Sequence, residues 1–495
     1  MAFITIDLGT TNIKVTAFTD QFSEIGSESS KVIYQQEQDH WVEFDAEAYF
    51  DHLQDAIARL RPQIFEPVHQ IILTGQAESL VVLDSDGKPL RQAISWLDMR
   101  STRESERIKE AFPEDQAYAI TGQPANTPTW PITKILWLKE NEPDIFKQAG
   151  WYVLVKDYIH YRLTGKMTGE YSIYNFSYYF DIHQKDYWMD LLNWCGVRRE
   201  QLPELVEPCT TTGLIMPQVA EKTGLDPSVS VNIGTLDHFA GMIGTGNIRQ
   251  GIISESTGTV VALATLVDKP VLTKERIPCH YGPFLNSYVL LPVCESGGVC
   301  LEWFRDTFAS DLSYKDIDQL AVRRNTPADL LFLPYLTGTN SPEYNTDAKG
   351  VFYGIRLKHD RGDFASAVME GVAYLLNRNL AALDRLGIHP ERVITTGGGS
   401  KSSFWCQTKA NLTGIPFSVP VQTEAASLGC ALIGAVACGV AASYEKAIEQ
   451  CVAMKKVYQP EERTAFARQN RRYDQLYQQM LPVFEQDAAF SLADD

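Results

Sequence analysis

The chain has 495 residues and a formal net charge of −18 at pH 7. Such a charge disfavours nucleic acid or a membrane surface as a partner, and the length exceeds what one core accommodates, so two large domains are predicted. With 44% hydrophobic and 21% charged residues, the composition is typical of a globular protein and excludes a disordered one.

The N-terminus is predicted to form a β-hairpin. Residues 3–6 are apolar and strand-like, residues 7–12 (Asp-Leu-Gly-Thr-Thr-Asn) form a turn, and residues 13–18 alternate as a returning strand. The turn offers successive backbone N–H groups and the hydroxyls of Thr10 and Thr11, a donor set that suits phosphate oxygens. The alternative is a tight turn whose aspartate is merely solvated.

The same arrangement recurs half a chain later. Strand-like residues 251–254 lead to the tip Ser-Thr-Gly-Thr at 256–259, and residues 260–264 return. Aligning Gly9 with Gly258 gives an offset of 258 − 9 = 249 residues. Two similar hairpins at this distance indicate a duplicated domain, and two tips facing one cleft would cradle a triphosphate.

The remaining segments alternate between helical and strand patterns, as expected of an α/β protein. Helices are predicted at 45–60, 130–140, 156–163, 363–386, from 402 onward, and at 461–484; strands are predicted at 70–73, 80–83, 93–97, 330–333 and 393–396. No low-complexity linker separates the halves, so we expect domains at 1–247 and 248–495 with a hinge between them.

Two glycine-rich segments carry further candidates. Gly397, Gly398 and Gly399 follow a strand and precede a helix, where a flat ligand or a phosphate could approach the backbone; a tightly packed strand-to-helix turn is the alternative. Residues 233–248 hold one carboxylate, Asp237, among apolar residues and four glycines. A lone buried acid needs a partner or a chemical task.

The segment 350–370 resembles the C-terminal signature of the FGGY carbohydrate kinases. It reads Gly-Val-Phe-Tyr-Gly-Ile, seven residues, then Asp-Phe-Ala-Ser-Ala-Val-Met-Glu, and agrees with that signature at every defined position. Residues 7–11, 256–259 and 397–399 resemble the family's two phosphate motifs and its adenosine motif. The resemblance spans residues 4 to about 437. It implies two duplicated actin/hexokinase-like (ribonuclease H-like) domains with an interdomain ATP cleft.

The resemblance also assigns roles to residues. Asp237 falls at the family's catalytic base, where one fixed carboxylate deprotonates and aligns the attacking hydroxyl. Asp7 and Asp237 would hold Mg²⁺, which keeps several of its waters. ATP would be bound by Gly9, Thr10, Thr11, Asn12, Ser256, Thr257, Gly258, Thr259, Gly397, Gly398, Gly399 and Ser400.

The acceptor pocket is expected in the N-terminal domain. Gln76 and Glu78 stand where glycerol kinase has Gln-Arg-Glu and xylulokinases have Gln-Met-His, so Glu78 would accept hydrogen bonds from substrate hydroxyls. Trp96, Asp98 and Arg100 follow a strand, as family substrate contacts often do. The alternative is that Asp98 and Arg100 pair on the surface. His238 would contact the substrate or only pack.

The predicted activity is ATP-dependent phosphorylation of a hydroxyl of a small free sugar or polyol. One alternative is an ATP-driven conformational module of actin or chaperone type, which would explain the hairpins but not Asp237 or the FGGY signature. Another is a catalytically silent sugar sensor, which would not need both Asp7 and Asp237. Xylulose, other ketopentoses, L-fuculose, gluconate and polyols remain open as acceptors, and the resemblance is compatible with a homodimer.

The compartment is predicted to be the cytoplasm. The first residues carry no basic region, and the longest weakly polar run, 432–442, is too short to span a bilayer. Nine cysteines include no CxxC pair, which favours reduced thiols over disulfides or zinc.

Overall fold

A central mixed β-sheet forms the core of each half of the chain. The computed structural model describes residues 1–323, 327–461 and 464–491. The strands of the N-terminal half are β1 (Ala2–Leu8), β2 (Asn12–Thr19), β3 (Glu24–Lys31), β4 (Tyr34–Gln35), β5 (Glu43–Phe44), β6 (Val68–Gly75), β7 (Leu80–Leu83), β8 (Ala93–Ile94), β9 (Trp151–Leu154), β10 (Thr168–Glu170), β11 (Phe180–Asp181), β12 (Asp186–Tyr187), β13 (Glu204–Val206), β14 (Thr211–Leu214) and β15 (Ser230–Leu236).

The helices of this half cover the sheet and build the walls above it. They are α1 (Ala46–Leu60), α2 (Thr102–Ala111), α3 (Glu114–Thr121), α4 (Pro131–Asn141), α5 (Pro143–Gln148), α6 (Val155–Thr164), α7 (Tyr171–Tyr174), α8 (Met189–Cys195), α9 (Pro217–Thr223) and α10 (Asp237–Thr245), with 3-10 turns at Arg61–Gln63, Asn175–Ser177 and Arg199–Gln201.

The C-terminal half continues with a second set of elements. Its strands are β16 (Ile252–Thr257), β17 (Val261–Val267), β18 (Cys279–Tyr281), β19 (Tyr288–Leu290), β20 (Val293–Cys294), β21 (Leu331–Leu333), β22 (Val351–Tyr353), β23 (Arg392–Gly397), β24 (Phe417–Pro420) and β25 (Met454–Tyr458). Its helices are α11 (Gly298–Phe308), α12 (Tyr314–Val322), α13 (Arg361–Arg385), α14 (Ser403–Thr413), α15 (Ala425–Ala437), α16 (Tyr444–Cys451) and α17 (Thr464–Ser491), with a 3-10 turn at Gly398–Lys401.

The two sheets share one topology. The N-terminal sheet has the order β14-β15-β6-β1-β2-β3, and the C-terminal sheet has the order β18-β19-β17-β16-β23-β24-β25. In each, an antiparallel hairpin (β1–β2, β16–β17) is followed by two parallel strands (β6 and β15, β23 and β24) and an antiparallel edge strand. The fold is therefore the predicted pair of duplicated α/β domains of the actin/hexokinase type.

Helices α10 and α15 cross at the junction of the two halves, and their backbones are in direct contact. A Cβ atom on Gly244 would lie 1.9 Å from the Ala425 carbonyl oxygen, and one on Gly429 would lie 1.8 Å from that of Ala240. Glycine is required at both positions because the opposing backbone occupies the space of a side chain. The predicted hinge region is thus a tightly packed helix crossing, which fixes α10 relative to the C-terminal half.

The far edge of the C-terminal sheet also reaches the N-terminal half. The Cys279 N–H donates to the Gly122 carbonyl at 3.0 Å, and the Tyr118 hydroxyl donates to the Ile277 carbonyl at 2.8 Å. His280 stacks on Phe176 with ring centroids 4.2 Å apart. Strand β18 therefore packs against N-terminal elements, a contact that the sequence did not reveal.

Most predicted elements occur close to their expected positions. The strand expected at 93–97 is shorter, because β8 ends at Ile94 and the chain then turns where the Asp98 N–H donates to the Ser95 carbonyl at 3.1 Å. The terminal helix runs over Thr464–Ser491, and residues 462–463 of the predicted segment lie outside the described residues. Among the described helices, none has the length and apolarity to cross a membrane.

Candidate active site

A cavity of about 900 Å³ lies between the helix crossing and the C-terminal sheet. Its size is in the range of small-molecule binding sites. Five of the predicted site residues line it: His238, Ser256, Gly397, Gly398 and Ser400. The rest of the wall includes residues 419–426, from the end of β24 to the start of α15, and Lys455, Lys456 and Tyr458 of β25.

The first phosphate hairpin is held by aromatic side chains from neighbouring segments. The Tyr34 hydroxyl donates to the Thr10 carbonyl at 2.8 Å, and the Trp96 indole N–H donates to the Thr10 hydroxyl at 2.9 Å. The tip itself is tight, since a Cβ on Gly9 would lie 2.7 Å from the Asn12 carbonyl oxygen. Trp96, predicted as a sugar contact, is therefore bound to the phosphate hairpin through its polar edge.

Gln76 connects the hairpin to the strand that follows α1. Its backbone N–H donates to the Leu8 carbonyl at 3.1 Å, and its side-chain amide donates to the Gly9 carbonyl at 3.4 Å. The Ser79 hydroxyl donates to the Gln76 amide oxygen at 2.8 Å. Gln76 is 5% exposed, so its side chain serves the hairpin and contributes little open surface.

The second phosphate hairpin places its hydroxyls in different environments. Gly258 and Thr259 are exposed at the tip, and Ser256 lines the cavity. Thr257 is 1% exposed, and its hydroxyl donates to Glu255 and accepts from Lys409. Any contact of Thr257 with a phosphate must therefore come from its backbone.

The glycine loop packs directly on this hairpin. Gly397 has φ +74°, a conformation that disfavours other residues, and a Cβ there would lie 2.7 Å from the Thr257 carbonyl oxygen. A Cβ on Gly399 would lie 2.7 Å from the Thr257 Cβ. The three glycines thus bring the loop against the hairpin, and Gly397 and Gly398 remain exposed to the cavity.

Asp237 begins α10 directly after the buried strand β15. Its Oδ1 accepts a hydrogen bond from the His238 N–H at 2.5 Å. Burial, and after it repulsion by Asp7, raises the pKa of Asp237 to about 7. The opposing effect of Lys156 is smaller. The two carboxylates predicted to hold Mg²⁺ and to act as base therefore belong to one electrostatic site.

Asp7 lies at the end of β1, opposite Lys14 in the hairpin register. Burial and the charge of Glu424 raise the pKa of Asp7 to about 6, and Lys14 opposes them. Lys14 and Glu424 form an ion pair of 2.6 Å across the two halves of the chain. Glu424 also lines the cavity, so this ion pair borders the candidate nucleotide site.

The donor set fits a hydrated Mg²⁺. Asp7 Oδ1 is buried and has no hydrogen-bond partner among the residues that the structure describes, as expected of an oxygen reserved for a cation or its water. Within the described ranges, no group of three or more His, Cys, Asp or Glu residues could hold a metal ion alone. One or two carboxylates with several waters are the usual Mg²⁺ site beside phosphates.

A buried network of ion pairs and hydrogen bonds from the N-terminal half of the chain fixes the end of β15. Lys156 and Glu170, both fully buried, pair at 2.7 Å, and the Lys156 ammonium donates to the Ile233 carbonyl at 3.0 Å. The Ser172 hydroxyl donates to Glu170 at 2.9 Å and accepts from the Leu236 N–H at 3.2 Å. The residue before Asp237 is thereby held in place.

Glu78 has the strained backbone and the charge partner of a functional carboxylate. Its φ is +69°, which is uncommon for a residue other than glycine. Burial raises the pKa of Glu78, and the neighbouring Lys134 opposes this. The Lys134 ammonium donates to the carbonyls of Ser95 at 2.8 Å and Thr129 at 2.6 Å, so its hydrogen bonds are directed to the protein.

Asp98 and Arg100 form a buried pair instead of a surface pair. Their side chains are fully buried and 2.7 Å apart, and Asp98 also accepts from the Val42 N–H at 2.6 Å. Arg100 pairs with Glu43 at 2.6 Å and lies over the Trp41 ring at 3.9 Å. All of these contacts are internal, so the pair braces the segment that follows β8.

Sequence reasoning did not single out several residues around the site. Lys14 could have been found, because it lies opposite Asp7 in the predicted hairpin. Lys156, Glu170 and Glu424 carry no local signal, since each meets the site only through distant segments of the chain. His238 was a candidate: burial lowers its pKa to about 4, and its buried Nε2 has no hydrogen-bond partner in the described part of the chain.

Comparison with known proteins agrees with this geometry. Residues 2–244 match the FGGY family of carbohydrate kinases, N-terminal domain, and residues 256–438 match the C-terminal domain of that family. A xylulose kinase of Escherichia coli (strain K12) is 30% identical over 97% of this chain and 99% of its own length. A gluconokinase of Bacillus subtilis (strain 168) is 29% identical over 89% of this chain and 88% of its own length.

A solved structure shows the same fold. The ligand-bound xylulose kinase from Lactobacillus acidophilus superimposes with a TM-score of 0.90 at 26% identity, covering 98% of both chains.

Proposed function

The chain belongs to the FGGY family of carbohydrate kinases, and on that premise we propose that it transfers the γ-phosphoryl group of ATP to a hydroxyl of a small neutral sugar, a ketose such as xylulose or a polyol. The observation that carries the proposal is the position of the Asp237 carboxyl at the start of α10, next to the cavity-lining His238 and in the same electrostatic site as Asp7; burial also raises its pKa to about 7. A carboxylate of this kind is well matched to accept a proton from an alcohol.

The nucleotide would occupy the 900 Å³ cavity. The adenosine would contact Gly397, Gly398 and Ser400, because these residues of the glycine loop and the turn after it line the cavity. The two hairpin tips, 9–12 and 256–259, would hold the phosphates through backbone N–H groups and the exposed hydroxyls. Aligned donors of this type stabilise charge on the transferring phosphoryl group without rearrangement.

Asp237 would take the proton of the attacking hydroxyl and hold its oxygen in line with the γ-phosphorus. Phosphoryl transfer needs mainly positioning and charge stabilisation, so a single base on a fixed helix is sufficient. Asp7, with Asp237, would hold Mg²⁺ through water, and the ion would neutralise phosphate charge. Closure of the two halves would exclude water as a competing acceptor.

A neutral acceptor is favoured because the cations near the predicted acceptor residues are already engaged. Lys134 donates to backbone carbonyls beside Glu78, and Arg100 is fully buried against Asp98 and Glu43. An aldonate such as gluconate would bring a carboxylate towards Glu78 and Asp237, where Lys134 and Arg100 are already engaged by other groups. Like charges placed together cost several kcal/mol. Glu78 instead suits the hydroxyls of an uncharged sugar.

A phosphorylation screen tests this proposal. ADP formation would be followed with xylulose, other ketopentoses, L-fuculose, simple polyols and gluconate, and the product identified by mass spectrometry. We expect a neutral acceptor to exceed gluconate in kcat/KM by about 100-fold or more. A higher kcat/KM for gluconate would contradict the neutral class, and no acceptor-dependent ADP formation with any sugar would contradict the proposed function.

A further inference from the structure

A fully buried ion pair lies beneath the nucleotide cavity. Glu255 and Lys409 are both 0% exposed, and the ammonium lies 2.9 Å from the Glu255 Oε1. Lys409 also donates to the Thr257 hydroxyl at 2.8 Å, and the hydroxyls of Thr257 and Thr395 donate to the two oxygens of Glu255. We call these four residues the nucleotide clamp.

The clamp joins the three elements that form the floor of the cavity. Glu255 and Thr257 belong to β16, Thr395 to β23 and Lys409 to α14. Each element borders the cavity: Ser256 lies between the two β16 members, and Thr395 itself is part of the wall. Helix α14 starts directly after the glycine loop. A movement of any clamp residue is therefore transmitted to the nucleotide surface.

Thr257 connects the clamp to the glycine loop. Its carbonyl oxygen and its side chain are the atoms that a Cβ on Gly397 or on Gly399 would meet, each at 2.7 Å. The second hairpin and the glycine loop therefore meet at Thr257, which is also the last residue of β16 paired with β23. Glu255 and Lys409 fix the orientation of the Thr257 side chain, against which Gly399 packs.

Stability alone does not account for such a pair. Removing two charges from water is costly, and replacement of a buried ion pair by apolar residues is often neutral or stabilising. Directed hydrogen bonds, unlike apolar contacts, define one orientation for each partner. The contribution of the clamp is therefore to fix the orientation of its side chains, and not to add stability.

We propose that Glu255 and Lys409 are positioning residues, which fix the second phosphate hairpin against the glycine loop and thereby set the affinity for ATP without touching it. The proposal rests on the proposed function, since it takes ATP as the ligand of the cavity. Two fully buried residues, Glu255 and Lys409, would thus contribute to ATP binding without contacting the nucleotide.

The test replaces the two charged side chains of the clamp by uncharged side chains of similar volume. The double variant Glu255→Met/Lys409→Met leaves no unpaired buried charge and is expected to fold with a melting temperature near that of the wild type. Calorimetry without acceptor should show ATP binding weakened by about tenfold, as for one misplaced hydrogen bond to a charged group. The acceptor KM at saturating ATP should not change.

A second variant and a control make the result unambiguous. Thr257→Val keeps the ion pair and the side-chain shape but removes the hydroxyl, so it should weaken ATP binding in the same direction. In the control, Glu343→Met/Arg378→Met removes an ion pair of 2.5 Å that packs near α17 and does not line the cavity. It should change stability and leave ATP affinity unaltered.

Wild-type ATP affinity in the folded double variant, or in Thr257→Val, would overturn the role of the clamp. An equal loss of affinity for ATP and acceptor would also overturn it, because that pattern indicates a general structural effect. Absence of ATP binding by the wild type would instead refute the proposed function.

Discussion

Replacement of the proposed base by its uncharged isostere should stabilise the protein while lowering its kcat. Burial and repulsion by Asp7 raise the pKa of Asp237 from its ordinary value of 3.8 to about 7. One pKa unit corresponds to about 1.4 kcal/mol, so the shift lowers the stability of the ligand-free protein by roughly 4 kcal/mol at pH 8, where the native carboxyl is ionised. At pH 5 the native carboxyl is protonated and that of the unfolded chain is ionised, and the penalty is about 2 kcal/mol. Because this pKa is raised on folding, the contribution of Asp237 to stability is highest below pH 3.8 and falls as the pH rises to 7.

Asp237→Asn removes the ionisable group and mimics the protonated form. Urea unfolding of ligand-free protein should therefore show a stability gain that is larger at pH 8 than at pH 5. Asp226→Asn is the control, because Asp226 is solvent-exposed and hydrogen bonds from Ser228 lower its pKa; it should give no gain at pH 8. Destabilisation by Asp237→Asn at pH 8, or an equal gain at both pH values, would refute the electrostatic argument.

Three further substitutions probe the supports of the site. Gly244→Ala places a Cβ 1.9 Å from the Ala425 carbonyl oxygen, so the crossing helices must separate; we expect a loss of about 1–3 kcal/mol in urea unfolding and a kcat reduced at least about tenfold. Trp96→Phe removes the 2.9 Å bond to Thr10 and should raise the KM for ATP by about fivefold in steady-state assays. Ser172→Ala frees the end of β15 and should lower kcat by about fivefold with the KM for ATP unchanged; an altered KM for ATP with normal kcat would contradict that assignment.

The two hairpins were predictable because their signals are local, whereas the actin/hexokinase-type fold was implied by the resemblance of residues 350–370 to the FGGY signature. A strand, a Gly-Thr turn and a returning strand specify a hairpin from neighbouring residues alone, and the repetition of that hairpin 249 residues later indicated duplication. The sequence also singled out Asp237 as a candidate, since a single acid among apolar residues is costly to bury without a role.

The contacts that shape the site were not predictable from the sequence. Asp98 and Arg100 follow a strand as substrate contacts would, yet Arg100 is enclosed by Glu43 and Trp41, which lie 57 and 59 residues earlier in the chain. Thr257 was predicted to bind phosphate, but a lysine 152 residues away engages its hydroxyl. Such pairings depend on how distant elements pack, and no pattern within one segment encodes them.

The central claim is that Asp237 acts as the base in phosphorylation of a sugar hydroxyl. Its most direct test compares acceptor-dependent ADP formation by the wild type and Asp237→Asn at saturating ATP and acceptor. The account predicts that kcat falls by roughly 10²–10⁴-fold while ATP affinity measured by calorimetry stays within a few fold. A variant that retains a kcat close to the wild-type value would contradict it.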